Sequence, residues 1–179
     1  MEQLRFGIAG AAGRPTAFLE AFRQSGKAVL VAACDLNTEA LENALHGIQG
    51  VERYTNYEEM LEKAHLDAVI VGTPMQLHVE QSIQALQKNI HVYSEVTAGV
   101  SVEECRALLQ AAKNSNAQYM LGENCNYMKP YMMIREMVQD GCFGEVCYAE
   151  GEYLHDCREL LDKTPWRRKY LFETAGITY

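Results

Sequence analysis

A glycine-rich segment near the N-terminus has the residue types that hold a dinucleotide phosphate. It reads GIAGAAGRP over residues 7–15 and follows a short apolar run. Glycine lets backbone N–H groups approach a pyrophosphate at a helix N-terminus, where the helix dipole favours anions. Counted from Gly10 in the ideal G-x-G-x-x-G, Ala12 holds the second glycine position and Pro15 the third. Taken alone, the segment fits a tight structural turn equally well. Its candidate cofactor-binding residues are Gly10, Ala11, Ala12, Gly13 and Arg14.

An acidic residue follows the next apolar run, about 20 residues beyond the glycine turn. Asp35 lies where a carboxylate accepts hydrogen bonds from both ribose hydroxyls of a dinucleotide. A negative charge at this position also repels the additional phosphate of NADP. The turn and Asp35 together favour dinucleotide binding over a bare turn, and NAD over NADP.

A third segment has polar residues at the end of an apolar run. Residues 67–78 read DAVIVGTPMQLH, which predicts a strand, a proline turn and a helix start. Ligands bind at the carboxyl ends of parallel strands, so we expect Thr73 and His78 to face a cofactor crevice. For His78, a solvent-facing histidine beside a proline turn is an equally good interpretation.

Short apolar runs alternate with amphipathic stretches up to about residue 122. The predicted strands are residues 4–9, 29–34, 67–71, 91–95 and 118–121. The predicted helices are residues 16–24, 38–45, 57–63, 79–87 and 102–113. Apolar strands without alternation, each followed by a crossover helix, indicate a parallel sheet that is covered on both faces. The predicted fold class is α/β, a Rossmann-like doubly wound sheet.

The pattern changes after one more predicted helix, residues 131–139. Residues 144–156 alternate and predict a long antiparallel-type strand. A lone strand leaves half of its backbone groups unpaired, so we expect it to begin a second α+β sheet domain that this chain truncates. The expected domains are 1–123, which binds the dinucleotide, and 124–179, a linker helix and first strand of an incomplete substrate domain. A second copy of the chain is a candidate partner for that strand, in a homo-oligomer.

Taken in order, these motifs resemble the Gfo/Idh/MocA oxidoreductases over residues 4–179. Four features carry the resemblance: the glycine turn, Asp35, the Gly-Thr-Pro segment at residues 72–74 with His78, and HVYSE at residues 91–95. It implies an NAD(P)-binding Rossmann domain and hydride transfer with a sugar, and it assigns Glu95 to the nicotinamide ribose. A lysine follows this glutamate in the family and serves proton transfer. Val96 stands there in this chain and can neither donate nor accept a proton.

The departure at Val96 resembles one branch of the family, glycoside hydrolase family 109. The matching segments are EVTA at 95–98, ENCNY at 123–127, MVQDGCFGE at 137–145 and GEYLHD at 151–156. That branch keeps NAD bound and oxidises a sugar 3-hydroxyl to a ketone, which acidifies the C2–H so that the glycosidic oxygen leaves by elimination. Water then adds and the hydride returns, without the paired carboxylates of ordinary glycosidases. The resemblance implies Asn124 near the nicotinamide, Tyr153 and Arg167 at the sugar, and Tyr179 as the catalytic tyrosine.

The net charge of the chain limits the classes of ligand that it is expected to bind. Its 179 residues include 16 Lys plus Arg against 24 Asp plus Glu, for a formal net charge of -8. This charge disfavours nucleic acid and an anionic membrane, and a small-molecule sugar is the expected partner. The longest apolar run, residues 28–34, is too short to span a bilayer, and no signal peptide is expected. The expected location is the cytoplasm.

The six cysteines have irregular spacing and form no C-x-x-C pair. Several lie within apolar patterns, which favours small buried hydrophobic residues in a reducing cytosol over a disulfide framework or a zinc site. No metal site is expected. The cysteines are Cys34, Cys105, Cys125, Cys142, Cys147 and Cys157.

The predicted function is an NAD-dependent oxidoreductase that acts on a sugar or sugar derivative by hydride transfer. One alternative is an NAD-dependent glycosidase that uses oxidation and elimination. Another is a non-catalytic NAD-binding module, which a missing substrate domain permits. A dihydrodipicolinate reductase has a similar turn to residues 10–14, but its lysine- and histidine-rich substrate motif is not found in the chain.

Overall fold

The computed structural model describes residues 3–13, 17–152, 154, 156 and 159. The chain divides into two compact units, Met1–Gly122 and Glu123–Tyr179. The strands of the first unit are β1 (Leu4–Ala9), β2 (Ala28–Cys34), β3 (Glu52–Tyr54), β4 (Ala68–Val71), β5 (His91–Ser94) and β6 (Tyr119–Leu121). Its helices are α1 (Leu19–Ser25), α2 (Thr38–Ala44), α3 (Tyr57–Lys63), α4 (His78–Gln87) and α5 (Val102–Asn114).

These strands form one sheet in the order β3-β2-β1-β4-β5-β6, and every neighbouring pair is parallel. The chain winds outward from β1 in one direction and from β4 in the other, which is the Rossmann-like doubly wound arrangement. The predicted α/β fold class is confirmed. The short edge strand β3 was not predicted, because its sequence, Glu-Arg-Tyr, lacks the apolar run that marks the other strands.

The sheet is covered on both faces because its central strands are apolar on both sides. In β4, Val69 and Val71 pack into a core cluster with Leu86 of α4. Ile70 between them packs into the opposite cluster, which contains Leu41 of α2. Full burial of side chains of this size stabilises the fold by about 1.5–3 kcal/mol each. Helices on both faces are therefore what this strand sequence requires.

Polar side chains fix where three helices begin. Asn37 caps α2, Asn56 caps α3 and Ser101 caps α5. Each accepts a hydrogen bond from the backbone N–H three residues later, which satisfies one of the unpaired donors of the first turn. The starts of α2 and α5 agree with the helices predicted over residues 38–45 and 102–113.

The second unit contains α6 (Lys129–Gln139), preceded by a 3₁₀ turn at Asn124–Tyr127. Residues 144–152 have no regular secondary structure, which differs from the strand predicted over 144–156. A strand exists through hydrogen bonds to a neighbouring strand, and the described residues of this unit contain none. The alternating pattern at these residues is therefore not sufficient to form a strand in this chain.

Burial differs from expectation for most of the cysteines, and α5 buries few of its apolar side chains. Cys34 is buried, Cys125 is half-buried, and Cys105, Cys142 and Cys147 are exposed. Cys105 lies on α5, where Leu108 is buried but Leu109 is 56% exposed. This helix packs mainly against α4 near the edge of the sheet, so it buries a narrower stripe than a central helix does.

Candidate functional site

The strand order places the switch point of the sheet at the carboxyl ends of β1 and β4, where the winding reverses. In doubly wound sheets this is the position of the ligand-binding crevice. Gly10 follows β1 with a φ of +76°, a left-handed conformation that favours glycine. A Cβ at Gly10 would lie 2.6 Å from the carbonyl oxygen of Gly72, which follows β4. The conformation and the close approach both require glycine, and the turn after β1 packs directly on the end of β4.

The carboxylate of Asp35, directly after β2, is held by two backbone donors. The N–H of Ala12 donates to Oδ2 at 2.9 Å, and the N–H of Asn37 donates to Oδ1 at 2.9 Å. Each carboxylate oxygen keeps a further lone-pair site, so the group can still accept hydrogen bonds from a pair of hydroxyls. The structure thus brings the predicted acid and the predicted glycine turn together in a defined orientation.

The backbone donors of the glycine turn are engaged within the protein. The N–H groups of Gly10 and Ala11 both donate to the carbonyl oxygen of Cys34, at 2.9 and 3.1 Å, and that of Gly13 donates to Gly10 at 3.0 Å. With the Ala12 bond to Asp35, every N–H from residue 10 to residue 13 has an acceptor. The N–H groups of residues 10–13 therefore primarily fix the turn itself. What the described turn provides for a ligand is a backbone surface that it can approach closely.

Thr73 lies half-buried after β4 and is tied to α4. Its hydroxyl donates to Oε1 of Gln81 at 2.7 Å. The backbone carbonyl of Gln81 in turn accepts a hydrogen bond of 2.9 Å from the hydroxyl of Tyr57 in α3. The oxygen of Thr73 keeps lone pairs for a further donor, so it remains a candidate cofactor contact.

His78, the first residue of α4, is 2% exposed. Its Nε2 lies 2.8 Å from the carbonyl oxygen of Thr73, and its Nδ1 lies 2.8 Å from the carbonyl oxygen of Thr97. The histidine therefore does not face solvent, in contrast to the second interpretation of the sequence. Both ring nitrogens are directed at backbone carbonyls, and neither is directed at an open crevice.

Cys34 lies beneath the glycine turn, next to Asp35 in the chain, and is 6% exposed. Burial, and secondarily the negative charge of Asp35, raise the pKa of its thiol to about 11. The thiol is therefore protonated near neutral pH and packs as a small apolar side chain. Nucleophilic chemistry at this position is not supported.

Two of the remaining predicted site residues are described, one in each unit, and four lie outside the described residues. Glu95 lies half-buried after β5, and its N–H donates to the carbonyl oxygen of Val71 at 2.8 Å. Asn124 is exposed in the second unit, at the start of its 3₁₀ turn. The other predicted residues lie outside the described residues: Arg14, Tyr153, Arg167 and Tyr179.

Sequence reasoning missed residues that shape this edge of the sheet. Gly72 accommodates Gly10, and the backbone N–H of Asn37 orients Asp35. Gln81 holds Thr73, and the Thr97 carbonyl meets His78. The spacing of His78 and Gln81, three residues apart on one helix, was the one available signal, because such residues share a helix face.

The fold and the site together define a dinucleotide-binding Rossmann domain. Residues 4–123 match the family described as "Oxidoreductase family, NAD-binding Rossmann fold" (GFO_IDH_MocA), and the chain belongs to this family. NAD is accordingly the cofactor of the domain. The resemblance stated from the sequence is confirmed.

Several relatives match the chain over its whole length. Glycosyl hydrolase family 109 protein 1 of Shewanella sp. (strain MR-4) is 31% identical over 100% of this chain and 42% of that protein. The alpha-N-acetylgalactosaminidase of Shewanella oneidensis is 30% identical over the same shares. The chain thus spans about two fifths of the length of the curated relatives it matches.

Solved structures of dehydrogenases share the fold. The WlbA dehydrogenase from Bordetella pertussis, in complex with NADH and UDP-GlcNAcA, has a TM-score of 0.80 and 26% identity, covering 93% of this chain and 51% of that chain. The myo-inositol 2-dehydrogenase from Lactobacillus plantarum has a TM-score of 0.74 and 28% identity, covering 81% of this chain and 43% of that chain. None of the helices in the described ranges has the length and apolar character that crossing a membrane needs.

Proposed function

We propose that this chain is the cofactor-binding part of an NAD-dependent oxidoreductase that acts on a sugar or sugar derivative by hydride transfer. The observation that carries the proposal is the Asp35 carboxylate, which is fixed by Ala12 and Asn37 beside the glycine turn. The dehydrogenases with the same fold act on inositol or were solved with a nucleotide sugar, which supports a polyhydroxylated substrate.

The polar groups at the crevice fit NAD. Asp35 would accept hydrogen bonds from the two adenosine ribose hydroxyls through the lone pairs that its backbone donors leave free. Gly10 and Gly13 have no side chain, so the backbone of the turn would remain accessible to the cofactor. Among the described residues, a Cβ at Gly13 would contact the oxygen of Gly10 at 3.5 Å and otherwise project into open space. Thr73 and Glu95 would border the nicotinamide half from the ends of β4 and β5. When bound, NAD supplies a hydride acceptor next to the substrate carbinol.

The test is a binding titration of the 179-residue chain with NADH and NADPH, in which cofactor fluorescence reports binding. We expect NADH to bind and NADPH to bind at least about tenfold more weakly, because the phosphate meets the negative charge of Asp35. A thermal shift with NAD at millimolar concentration provides an independent readout. If neither coenzyme binds or shifts the melting temperature, the proposed function fails.

A second candidate, the NAD-dependent glycosidase, is favoured by the relatives of the glycosyl hydrolase family 109. Val96 also favours the glycosidase. A dehydrogenase of the lysine type would have an ionisable side chain at this position to transfer the proton, and valine has none. Residues 124–179 would then contribute Tyr153, Arg167 and Tyr179 to the substrate side of the site. The activity would need a base for the C2 proton but no opposed carboxylates.

The two candidates differ in their products. The chain would be incubated with NAD and either a free polyol or an aryl α-N-acetylgalactosaminide, in heavy water. Net formation of NADH from the polyol supports the oxidoreductase. Release of the phenol, with deuterium at C2 of the sugar product and no net NADH, supports the glycosidase. Cofactor binding without either product supports the non-catalytic NAD-binding module.

A further inference from the structure

Two neighbouring loops at the carboxyl edge of the sheet are joined by one buried side chain. Residues 72–77 connect β4 to α4, and residues 95–101 connect β5 to α5. The ring of His78 lies between them, with Nε2 at 2.8 Å from the Thr73 carbonyl and Nδ1 at 2.8 Å from the Thr97 carbonyl. The two loops otherwise belong to separate βα units of the chain.

The contacts of the ring leave it little capacity for a ligand. Carbonyl oxygens only accept hydrogen bonds, so a neutral ring donates to one of the two and a doubly protonated ring donates to both. In either state the ring nitrogens point at protein atoms, and the side chain is 2% exposed. His78 is thus placed to hold backbone and not to touch a cofactor.

The loop on the β4 side is restrained a second time from the same helix. The Thr73 hydroxyl donates to Gln81, which lies three residues after His78 on α4. The first turn of α4 therefore holds both the carbonyl and the side chain of Thr73. Tyr57, through the Gln81 carbonyl, links this turn to α3.

We propose that His78 is a positioning residue, which fixes the loops after β4 and β5 and thereby the nicotinamide half of the crevice. This inference rests on the proposed function, since it needs NAD to lie across the switch point. In that arrangement the adenosine half lies on the β1–β2 side with Asp35, and the other half lies on the β4–β5 side with Glu95. Loss of the ring should loosen the second half and leave the first unchanged.

The experiment compares His78→Phe with the wild-type chain. Phenylalanine keeps a ring of similar size and removes both hydrogen-bonding nitrogens. We expect the Kd for NAD⁺ to rise about tenfold and the Kd for AMP, which has only the adenosine half, to change less than about twofold. His78→Gln, whose donors all lie on one nitrogen, should give an intermediate Kd for NAD⁺. His46→Phe is the matched control, because His46 is exposed after α2.

A second measurement needs no cofactor. In the free protein, hydrogen exchange at residues 72–77 and 95–101 should accelerate in His78→Phe, while exchange in β1 and β2 stays at the wild-type rate. A uniform acceleration over the whole first unit would assign His78 a general stabilising role and overturn the proposal. Weaker NAD⁺ binding with unchanged loop exchange would indicate direct contact with the cofactor, which also overturns it.

The outcomes separate this inference from the function on which it rests. If the wild-type chain binds neither NAD⁺ nor AMP, the proposed function fails and takes the positioning role with it. If the wild-type chain binds both and His78→Phe binds NAD⁺ equally well, only the positioning role of His78 is refuted.

Discussion

The backbone N–H of Ala12 donates a hydrogen bond of 2.9 Å to Oδ2 of Asp35, which joins the turn after β1 to the end of β2. A second donor, the N–H of Asn37, holds the other carboxylate oxygen. The carboxylate is therefore oriented before any ligand arrives, which lowers the entropy lost on binding. The same two bonds mean that Asp35 contributes to the shape of the turn as well as to recognition.

The first prediction concerns coenzyme preference. Asp35→Asn removes the charge and keeps the side-chain shape, so repulsion of the NADP phosphate should fall. We expect the ratio of NADPH to NADH dissociation constants to decrease about tenfold, measured by fluorescence titration. Glu39→Gln removes the same charge from an exposed position in the first turn of α2 and should leave the ratio within about twofold. A ratio that is the same in wild type and Asp35→Asn argues against the ribose contact.

The second prediction concerns the close approach of Gly10 to Gly72. Gly50→Ala has the same left-handed conformation, with a φ of +77° and open space around its Cβ, and should cost about 1 kcal/mol. Gly10→Ala adds a Cβ 2.6 Å from the Gly72 carbonyl oxygen and should cost a further ~1–3 kcal/mol. Urea unfolding of both variants measures the difference. Equal losses in the two variants would show that the turn can move away from β4 without cost.

The third prediction concerns alkaline stability. Burial and then Asp35 raise the pKa of Cys34 from 9.0 to about 11, so the unfolded chain releases this proton before the folded chain does. The unfolded state then binds fewer protons between these values, and the free energy of unfolding must decrease as the pH rises through them. We expect Cys34 to account for ~2 kcal/mol of that decrease. The check is urea unfolding from about pH 8 to about pH 11, in which Cys34→Ala should show a shallower decrease than wild type.

The fourth prediction concerns the bond between α3 and α4. The hydroxyl of Tyr57 donates to the Gln81 carbonyl at 2.9 Å, and burial raises the pKa of this tyrosine. Tyr57→Phe should lower the free energy of unfolding by about 1 kcal/mol, since one hydrogen bond is lost at a half-buried position. Tyr54→Phe loses a hydrogen bond to the exposed carboxylate of Glu52 and should change stability by less than about 0.5 kcal/mol. A loss from Tyr54→Phe as large as that from Tyr57→Phe would contradict this account.

Most of the sheet could be predicted, because a strand buried on both faces must be apolar throughout. A largely apolar run marks the central strands β1, β2 and β4 and also β5 and β6, although Met120 and Leu121 of the edge strand β6 are exposed. It does not mark β3, whose short polar sequence pairs only at the edge of the sheet. The strand predicted from alternation at residues 144–156 is a separate case. Residues 144–152 form no strand, because the described part of the second unit supplies no partner strand.

The candidate site divides in the same way. The order of glycine turn, second strand and Asp35 is a local property of the chain, and it predicted both members of the pair that the structure joins. The sequence left open whether His78 faces a cofactor crevice or solvent, and neither alternative named its backbone partners, because Thr73 and Thr97 lie on two different loops. Gln81 was missed for a related reason, since nothing in its own segment requires an acceptor for Thr73.

By itself, the sequence determined the family, the parallel α/β sheet and the acid that follows its second strand, since each depends on residue type and order along the chain. Only the tertiary structure decided that Gly10 presses on Gly72, that the N–H groups of residues 10–13 are engaged within the protein, and that His78 joins two loops. The physical reason is that a hydrogen bond or a steric contact depends on distance in space. Residues far apart in the chain reach that distance only when the sheet has assembled.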